Sequence, residues 1–327
     1  MPAQKPGDMH ILGDWGTSRL RLYLMDRDEI VDRRDGPGVA TFGTVIRTAA
    51  DTITSALVSS LLEQTAAWRQ ATRSSDVLLA GMVGSRNGIV EVPYASTPTH
   101  REDWARTAWT KQLPDIRLTI ATGLRHCFGD QVDVMRGEET QVFGAMHLHP
   151  QLARSSQVFV LPGTHSKWVD VQDGTITRFT TAMTGEVFAL LCDHSTLLRV
   201  GDSTADVDAE VEAGFDAGVM RSENLTEGLL AALFRTRAAQ LLEQRSKSWA
   251  RGFLSGLLIG CEIASLSRSY PATGSICVVG EDALTKLYRR VLERRGISAT
   301  TEDGAACVVA GLLALRDAMQ IPAQQFG

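Results

Sequence analysis

Asp14-Trp15-Gly16-Thr17-Ser18 sets a carboxylate, a glycine and two hydroxyl residues within one short stretch, directly after the apolar pair Ile11 and Leu12. In a tight hairpin such residues can turn successive backbone amides into one concavity, which holds phosphate oxygens with little help from lysine or arginine. Asp14, at the strand end, adds a hard oxygen ligand of the kind Mg²⁺ takes directly or through water. Glycine, serine, threonine and aspartate are also ordinary turn formers, so one such hairpin alone carries little functional weight. A second one changes that judgement. Pro162-Gly163-Thr164-His165-Ser166 follows the apolar run Val158 to Leu161, and aligning Gly163-Thr164 on Gly16-Thr17 gives an offset of 147 residues.

The elements around the two motifs repeat as well. His10 to Arg33 reads as three strands, with Leu20, Leu22 and Leu24 alternating in the second and an Asp26-Arg27-Asp28 turn before the third. Lys167 to Val171, a Gln172-Asp173-Gly174 turn and Thr175 to Phe179 repeat that plan. Each half then adds an apolar strand ending in glycine, Val77 to Gly81 and Ile276 to Gly280. A duplicated domain is the economical explanation. Leu284, Leu287, Tyr288, Val291 and Leu292 mark one face of a helix after Gly280. Phe253 to Ser267 carries an apolar stripe beside Gly256 and Gly260, which would let another backbone come close, and Ala305 to Leu315 is a further small, apolar helix. Arg199 to Gln244 is polar and helical in pattern, without a usable motif.

At 327 residues the chain has room for two domains. Its longest apolar runs, Phe253 to Cys261 and Ala305 to Leu315, are shorter than the roughly 18 residues a membrane-spanning helix needs, so no membrane partner is expected. Met1 to His10 shows no apolar stretch behind Lys5, and the five cysteines are odd in number and widely spaced, which together suggest a reducing cytoplasm. A net charge of −5 without a basic block argues against nucleic acid.

GDWGTSRLRLYL, LLAGMVGSRNGIVEVPY, VMRGEETQVFGAM, LPGTHSKW, MTGEVFALL and FLSGLLIGCEIASL occur in this order from residue 13 to about residue 266. Together they resemble the 2-dehydro-3-deoxygalactonokinase family. The resemblance implies the α/β fold of the sugar kinase, Hsp70 and actin superfamily, with two ribonuclease H-like domains closing on an interdomain cleft. The expected boundaries are 1–150 for the sugar-acid side and 151–327 for the nucleotide side. It further implies ATP and Mg²⁺ as cofactors and a small sugar acid as substrate; a monomer or homodimer is expected. The galacto configuration is implied by the resemblance alone.

Carried over by position, Asp14, Trp15, Gly16, Thr17 and Ser18 resemble a first phosphate motif and Gly163 to Lys167 a second, with Gly163, Thr164 and Lys167 as contacts. Gly280 matches the adenosine strand end, although Glu281 stands where a small or hydroxyl residue is expected and is left out of the site. Helices Glu138 to His147 and Ala305 to Leu315 would cross at the hinge. Phosphoryl transfer to an alcohol needs a carboxylate to receive the hydroxyl proton. Arg136-Gly137-Glu138-Glu139-Thr140, where the strand Val132 to Met135 meets a helix, supplies candidates. Glu139 is favoured as base, with Glu138 as the helix-dipole partner or the two reversed, and Asp14 as a further alternative.

A sugar-acid carboxylate suits a guanidinium, which points to Arg136 and Arg86, with Gly81, Gly84, Ser85 and Asn87 around the sugar and Thr184-Gly185-Glu186 as a lesser candidate. His165 beside Ser166 suggests no hydrolase, because the strained GxSxG elbow is missing. Other readings are a kinase of another sugar, an actin-like or Hsp70-like ATPase switch, and a phosphohydrolase using water as acceptor.

Overall fold

The computed structural model describes residues 9–45, 50–198, 207–272 and 274–320. Residues 1–8, within the stretch read for an export signal, lie outside them, as do residues 199–206 of the stretch read as polar and helical. The chain divides into two compact units. One comprises Met1–Ser155, Val171–Phe179 and Glu302–Gly327, and the other Ser156–Asp170 and Thr180–Thr301.

The first unit opens on the expected meander, β1 (Met9–Trp15), β2 (Arg19–Asp26) and β3 (Glu29–Pro37), each strand antiparallel to the next. Helices α1 (Val39–Val45) and α2 (Ala50–Thr72) lead to β4 (Asp76–Ala80), β5 (Ala95–Ser96) and α3 (Arg101–Arg106). Strands β6 (Trp109–Gln112), β7 (Arg117–Ile120), β8 (Leu124–Phe128) and β9 (Gln131–Met135) precede α4 (Glu138–Leu148). The main sheet has the order β3-β2-β1-β4-β7-β6, with β4 parallel to both β1 and β7, while β5, β8 and β9 form a small separate sheet. In β2 the alternation Leu20, Leu22, Leu24 is real, yet Tyr23 and Met25 are buried too. A sheet interior covered on both faces makes near-continuous apolar strands. One face packs on Leu57, Leu61 and Trp68 of α2, which recur at helical spacing.

The plan repeats with β10 (Ser156–Leu161), β11 (Ser166–Gln172) and β12 (Thr175–Ala182), which start in the second unit, although residues Val171–Phe179 of this hairpin are grouped with the first. Helices α5 (Thr184–His194), α6 (Asp208–Glu223), α7 (Leu229–Leu242) and α8 (Lys247–Ser269) follow, then β13 (Ile276–Gly280), α9 (Asp282–Arg294) and β14 (Ala299–Asp303). The sheet these strands form, in the order β12-β11-β10-β13-β14, matches β3-β2-β1-β4-β7 strand for strand. The duplication inferred from two short motifs therefore extends over five strands. Tyr288, Val291 and Leu292 of α9 join Val158, Val160, Ile276 and Val278 of the sheet in one core.

The last helix, α10 (Gly304–Gln320), belongs to the first unit, so the units differ from a cut at residue 150. It crosses α4 with backbones almost touching. A Cβ at Gly144 would sit 1.8 Å from the Cys307 carbonyl oxygen, and one at Gly311 would sit 2.0 Å from that of Thr140. In the second unit α6 and α8 cross in the same manner, with Gly256 against the Phe215 carbonyl at 2.1 Å and Gly218 against that of Phe253 at 2.2 Å. The sequence marks Gly256. It does not mark Gly218, because α6 lies in a stretch whose polar surface hides its seam.

Packing and helix propensity oppose each other at these glycines, and their magnitudes decide the sign. Alanine gains roughly 0.8–1 kcal/mol over glycine in a helix, but overpacking a tight contact costs about 1–3 kcal/mol. Gly218→Ala is expected to lower the urea midpoint, with a net loss of about 1–2 kcal/mol. Gly43→Ala in α1, where a Cβ meets nothing within 4 Å, is the control and should hold or raise it. Stabilisation by Gly218→Ala would show that the crossing is looser than described.

Candidate functional site

In the first unit, three chain segments meet at two glycines. Gly81 ends β4 with φ +93°, and a side chain there would strike the Trp15 carbonyl oxygen at 2.8 Å and the Asp14 carboxylate at 3.3 Å. Gly137, with φ +110°, precedes α4, and a Cβ on it would lie 3.4 Å from the Gly81 Cα. Both need the left-handed region that glycine enters without strain. Asp14, Gly81 and the start of α4 are thereby brought together. The β1–β2 register places Arg21 opposite Asp14, and its guanidinium lies 3.5 Å from the carboxylate.

Three carboxylates share this place, and their surroundings separate them. Asp14 keeps 24% of its side chain accessible. Its pKa is nonetheless raised to about 6, chiefly by burial and also by Glu138, against the pull of Arg21. Glu138 is half-buried, and its Oε2 accepts the Arg136 N–H at 3.0 Å. Glu139 is wholly buried, with Gly137 N–H at 2.9 and 2.8 Å from its two oxygens and the Thr140 hydroxyl at 3.1 Å. Burial wins over these hydrogen bonds and, with the Glu138 charge adding to it, raises the Glu139 pKa to about 8. A side chain so enclosed holds the Gly137 turn in shape.

Arg136 is 8% exposed. Its Nη2 donates to the Val92 carbonyl at 2.6 Å, and its guanidinium lies 4.3 Å from the Tyr94 ring centre. Nε and Nη1 are buried without a partner, and Gly84 is close enough that a Cβ would lie 3.0 Å from Nη1. The Ser85 hydroxyl is likewise buried and unpartnered. Arg86 points elsewhere: it is 84% exposed and faces Glu91 at 3.4 Å. Asn87 is exposed too.

The two glycine-threonine turns present similar backbones. At the first, the carbonyls of Gly16, Thr17 and Ser18 accept from Val39, Ala40 and Gly38, while the Thr17 and Ser18 amides have no partner among the described residues. The Trp15 indole is buried and donates to the Pro37 carbonyl at 3.0 Å, so only its backbone could serve a ligand. In the second unit the Thr164 carbonyl accepts the Glu186 N–H at 2.9 Å, and Gly163 and Thr164 stand at the end of β10. Gly280 ends the parallel neighbour β13, where a Cβ would be 3.6 Å from the Pro162 carbonyl. Beside Gly163 opens a largely apolar cavity of about 300 Å³, with Phe188, Phe215, Leu284 and Leu287 in its walls. Lys167 is buried, with its ammonium 3.3 Å from the His165 carbonyl.

Some candidates fall elsewhere than the sequence suggests. Thr184-Gly185-Glu186, a candidate for the sugar, starts α5 in the second unit, where a Cβ on Gly185 would meet the Gly163 carbonyl at 2.3 Å. His165 pairs with Glu186, and Ser166 bonds Tyr288 at 2.9 Å, so no imidazole activates that serine. The sequence also misses Glu262, which accepts from Trp168 at 2.8 Å, Tyr288 at 2.6 Å and Thr184. Burial raises the Glu262 carboxyl above its ordinary range. The signal was an acid between apolar Ile259 and Ile263 in one helix.

The enclosed Glu139 makes stability depend on pH in a definite sense. Folded, it keeps its proton up to about 8, whereas its ordinary value is 4.5. Across that window the folded state binds more protons than the unfolded state, so stability falls as pH rises. Glu139→Gln should flatten the decline of Tm between pH 5 and pH 8. An unchanged slope would show that Glu139 is already ionised in the folded protein.

A family model described as 2-keto-3-deoxy-galactonokinase matches residues 14–315. A probable 2-dehydro-3-deoxygalactonokinase of Rhizobium meliloti is 35% identical over 303 residues, covering 92% of this chain and 94% of the relative. The 2-dehydro-3-deoxygalactonokinase of Escherichia coli is 33% identical over 312 residues, covering 95% and 98%. The crystal structure of a candidate 2-dehydro-3-deoxygalactonokinase from Sinorhizobium meliloti superposes with a TM-score of 0.79 at 33% identity, over 96% of this chain and all of that one. With both nearly its whole length and its fold matched, the chain belongs to the 2-keto-3-deoxy-galactonokinase family.

Proposed function

We propose that this chain transfers the γ-phosphoryl group of ATP to the terminal hydroxyl of 2-dehydro-3-deoxy-D-galactonate, yielding the 6-phosphate in galactonate breakdown. Family membership supports the reaction type. The observation that carries the site is the meeting of Asp14, Gly81 and Gly137 beside Arg136, whose buried guanidinium retains two unpartnered nitrogens. Leaving buried charged donors unmatched is destabilising, so such a group suits an anion supplied from outside. The carboxylate of a sugar acid is that anion, with Gly84 and Ser85 beside it.

The roles follow from accessibility. Glu139, which the sequence favours as base, is wholly buried and hydrogen-bonds within its own turn, so its part is positioning. Glu138 lies at the same helix start, is half-buried and takes the proton of the acceptor hydroxyl. Asp14 is the magnesium ligand. Among the described residues no three His, Cys, Asp or Glu side chains gather as a metal cage. Mg²⁺ fits regardless, because it takes one or two carboxylates and fills its shell with water and phosphate oxygens. The mutual repulsion of Asp14 and Glu138 is the strain a cation would relieve. When bound, Mg²⁺ would supply charge neutralisation on the phosphate oxygens.

In the second unit the Gly163 and Thr164 amides cradle phosphate, Lys167 supports their turn, and Gly280 with the apolar cavity receives the nucleoside. Thr17 and Ser18 offer amides from the first unit, beside Gly16. Arg86 and Asn87 stay at the rim.

ADP release with Mg·ATP and each of the two 2-dehydro-3-deoxy sugar acids, galacto and gluco, followed by mass spectrometry, tests the reaction. A phosphorylated product with preference for the galacto acid is expected. ADP without phosphosugar would instead indicate an ATPase or hydrolase. For the roles, Glu138→Gln should lower kcat by about 10²-fold or more with the KM for ATP nearly unchanged, as expected for a lost general base. Glu139→Gln should retain far more activity. The reverse order would return the base to Glu139.

A further inference from the structure

A second and larger cavity, of about 890 Å³, opens in the second unit and shares Thr184 and Leu258 with the one beside Gly163. Leu225, Leu229 and Ile297 give it an apolar floor, and Arg268 and Arg295 bring two guanidiniums to its wall. Arg295 is fixed by its Nη2, which donates to the Ser222 hydroxyl at 3.1 Å and the Gly260 carbonyl at 3.2 Å. Its Nε is buried with no partner. Arg268 is exposed, and no carboxylate of the described residues pairs with it.

The acids of this cavity are already committed. Glu223 is paired with Arg294 at 2.7 Å, and Glu262 spends its oxygens on Trp168, Tyr288 and Thr184. Two cations thus face a space of mixed apolar and polar lining without an anion to match them, and an unpaired buried donor is a cost that a ligand anion would remove.

The wall separating the two cavities is made of the same residues that build the Glu262 network. Thr184 and Leu258 face both spaces, Glu262 faces the larger and Tyr288 the smaller. Tyr288 bonds Ser166 directly after the second glycine-threonine turn, and Gly185, next to Thr184, is packed on the Gly163 carbonyl. Any shift of Thr184 or Glu262 must therefore be felt by that turn, because such close backbone contact leaves little room to yield. We propose that the larger cavity is a second ligand site for a small dianion with an apolar middle, and that Thr184, Glu262 and Tyr288 relay its occupancy to the Gly163-Thr164 turn. The relay half rests on the proposed nucleotide role of that turn; the binding half does not.

Glutarate, a five-carbon dicarboxylate, is the probe. Calorimetry on the full chain should show saturable glutarate binding below about 10 mM. It should weaken about tenfold in Arg268→Glu and in Arg268→Ala/Arg295→Ala. Arg268 is exposed, so its single variant reports even where the double one folds poorly. Saturating glutarate should change the Kd for ADP about threefold, and Glu262→Gln should abolish that coupling while glutarate still binds. Absent binding, or binding indifferent to Arg268→Glu, would overturn the second site. Binding without any effect on the Kd for ADP would overturn the relay. Should ADP itself fail to bind, the nucleotide reading falls, and the glutarate titration still decides the site.

Discussion

The first unit depends on one close approach, that of Gly81 to Gly137. Three segments distant in sequence, the end of β1, the end of β4 and the start of α4, come within van der Waals contact only because neither glycine carries a side chain and both occupy φ values that other residues resist. Once that contact is made, Asp14 and Glu138 have nowhere to go but beside each other, and Glu139 is enclosed beneath them. The raised pKa values of Asp14 and Glu139 are therefore consequences of backbone packing. The electrostatics of this place follow from a steric fact.

Helix crossings apply the same constraint at larger scale. α4 meets α10, and α6 meets α8, through glycines whose missing Cβ atoms leave room for a carbonyl oxygen. Buried carbonyls in these helices already serve their own i+4 amides, so close crossings sacrifice no hydrogen bonds. What they gain is a rigid seat: α4 carries Glu138 and Glu139 at its start, and α8 carries Glu262 in its middle. These acids are thus mounted on helices held by close backbone crossings.

How much of this is legible in the sequence depends on whether the signal is local. The two meanders, the strand-end glycines at Gly81 and Gly280 and the stripe of α9 all show, because turn chemistry and periodicity operate within a few residues. Of the small sheet of β5, β8 and β9, only β9 shows, as the strand Val132 to Met135. β5 has two residues, so length does not mark it. Glu138 and Glu139 look alike in sequence, and only the fold buries one completely. Trp15 reads as part of a ligand motif, whereas its indole serves the core. Arg136 and Arg86 both follow a glycine-rich turn pattern, and tertiary packing alone makes one a buried, half-satisfied cation and the other a solvated partner of Glu91.

The repeat also explains why the two turns need not do the same work. At the 147-residue offset, Gly163 and Thr164 replace Gly16 and Thr17, but Leu161 stands where Asp14 does. A carboxylate next to an amide cradle repels the phosphate that the cradle attracts, unless a cation lies between them. The second turn, with leucine at that position, can hold an anion by backbone alone. The first, with Asp14 and Glu138 at hand, becomes useful to a phosphate only through a metal ion. At the strand end that faces the turn, the repeat thus carries an acid in one half and an apolar residue in the other. Under the proposed reaction, a turn without an acid suits an anion held by backbone amides, and a turn with one suits the metal ion that neutralises the transferred group.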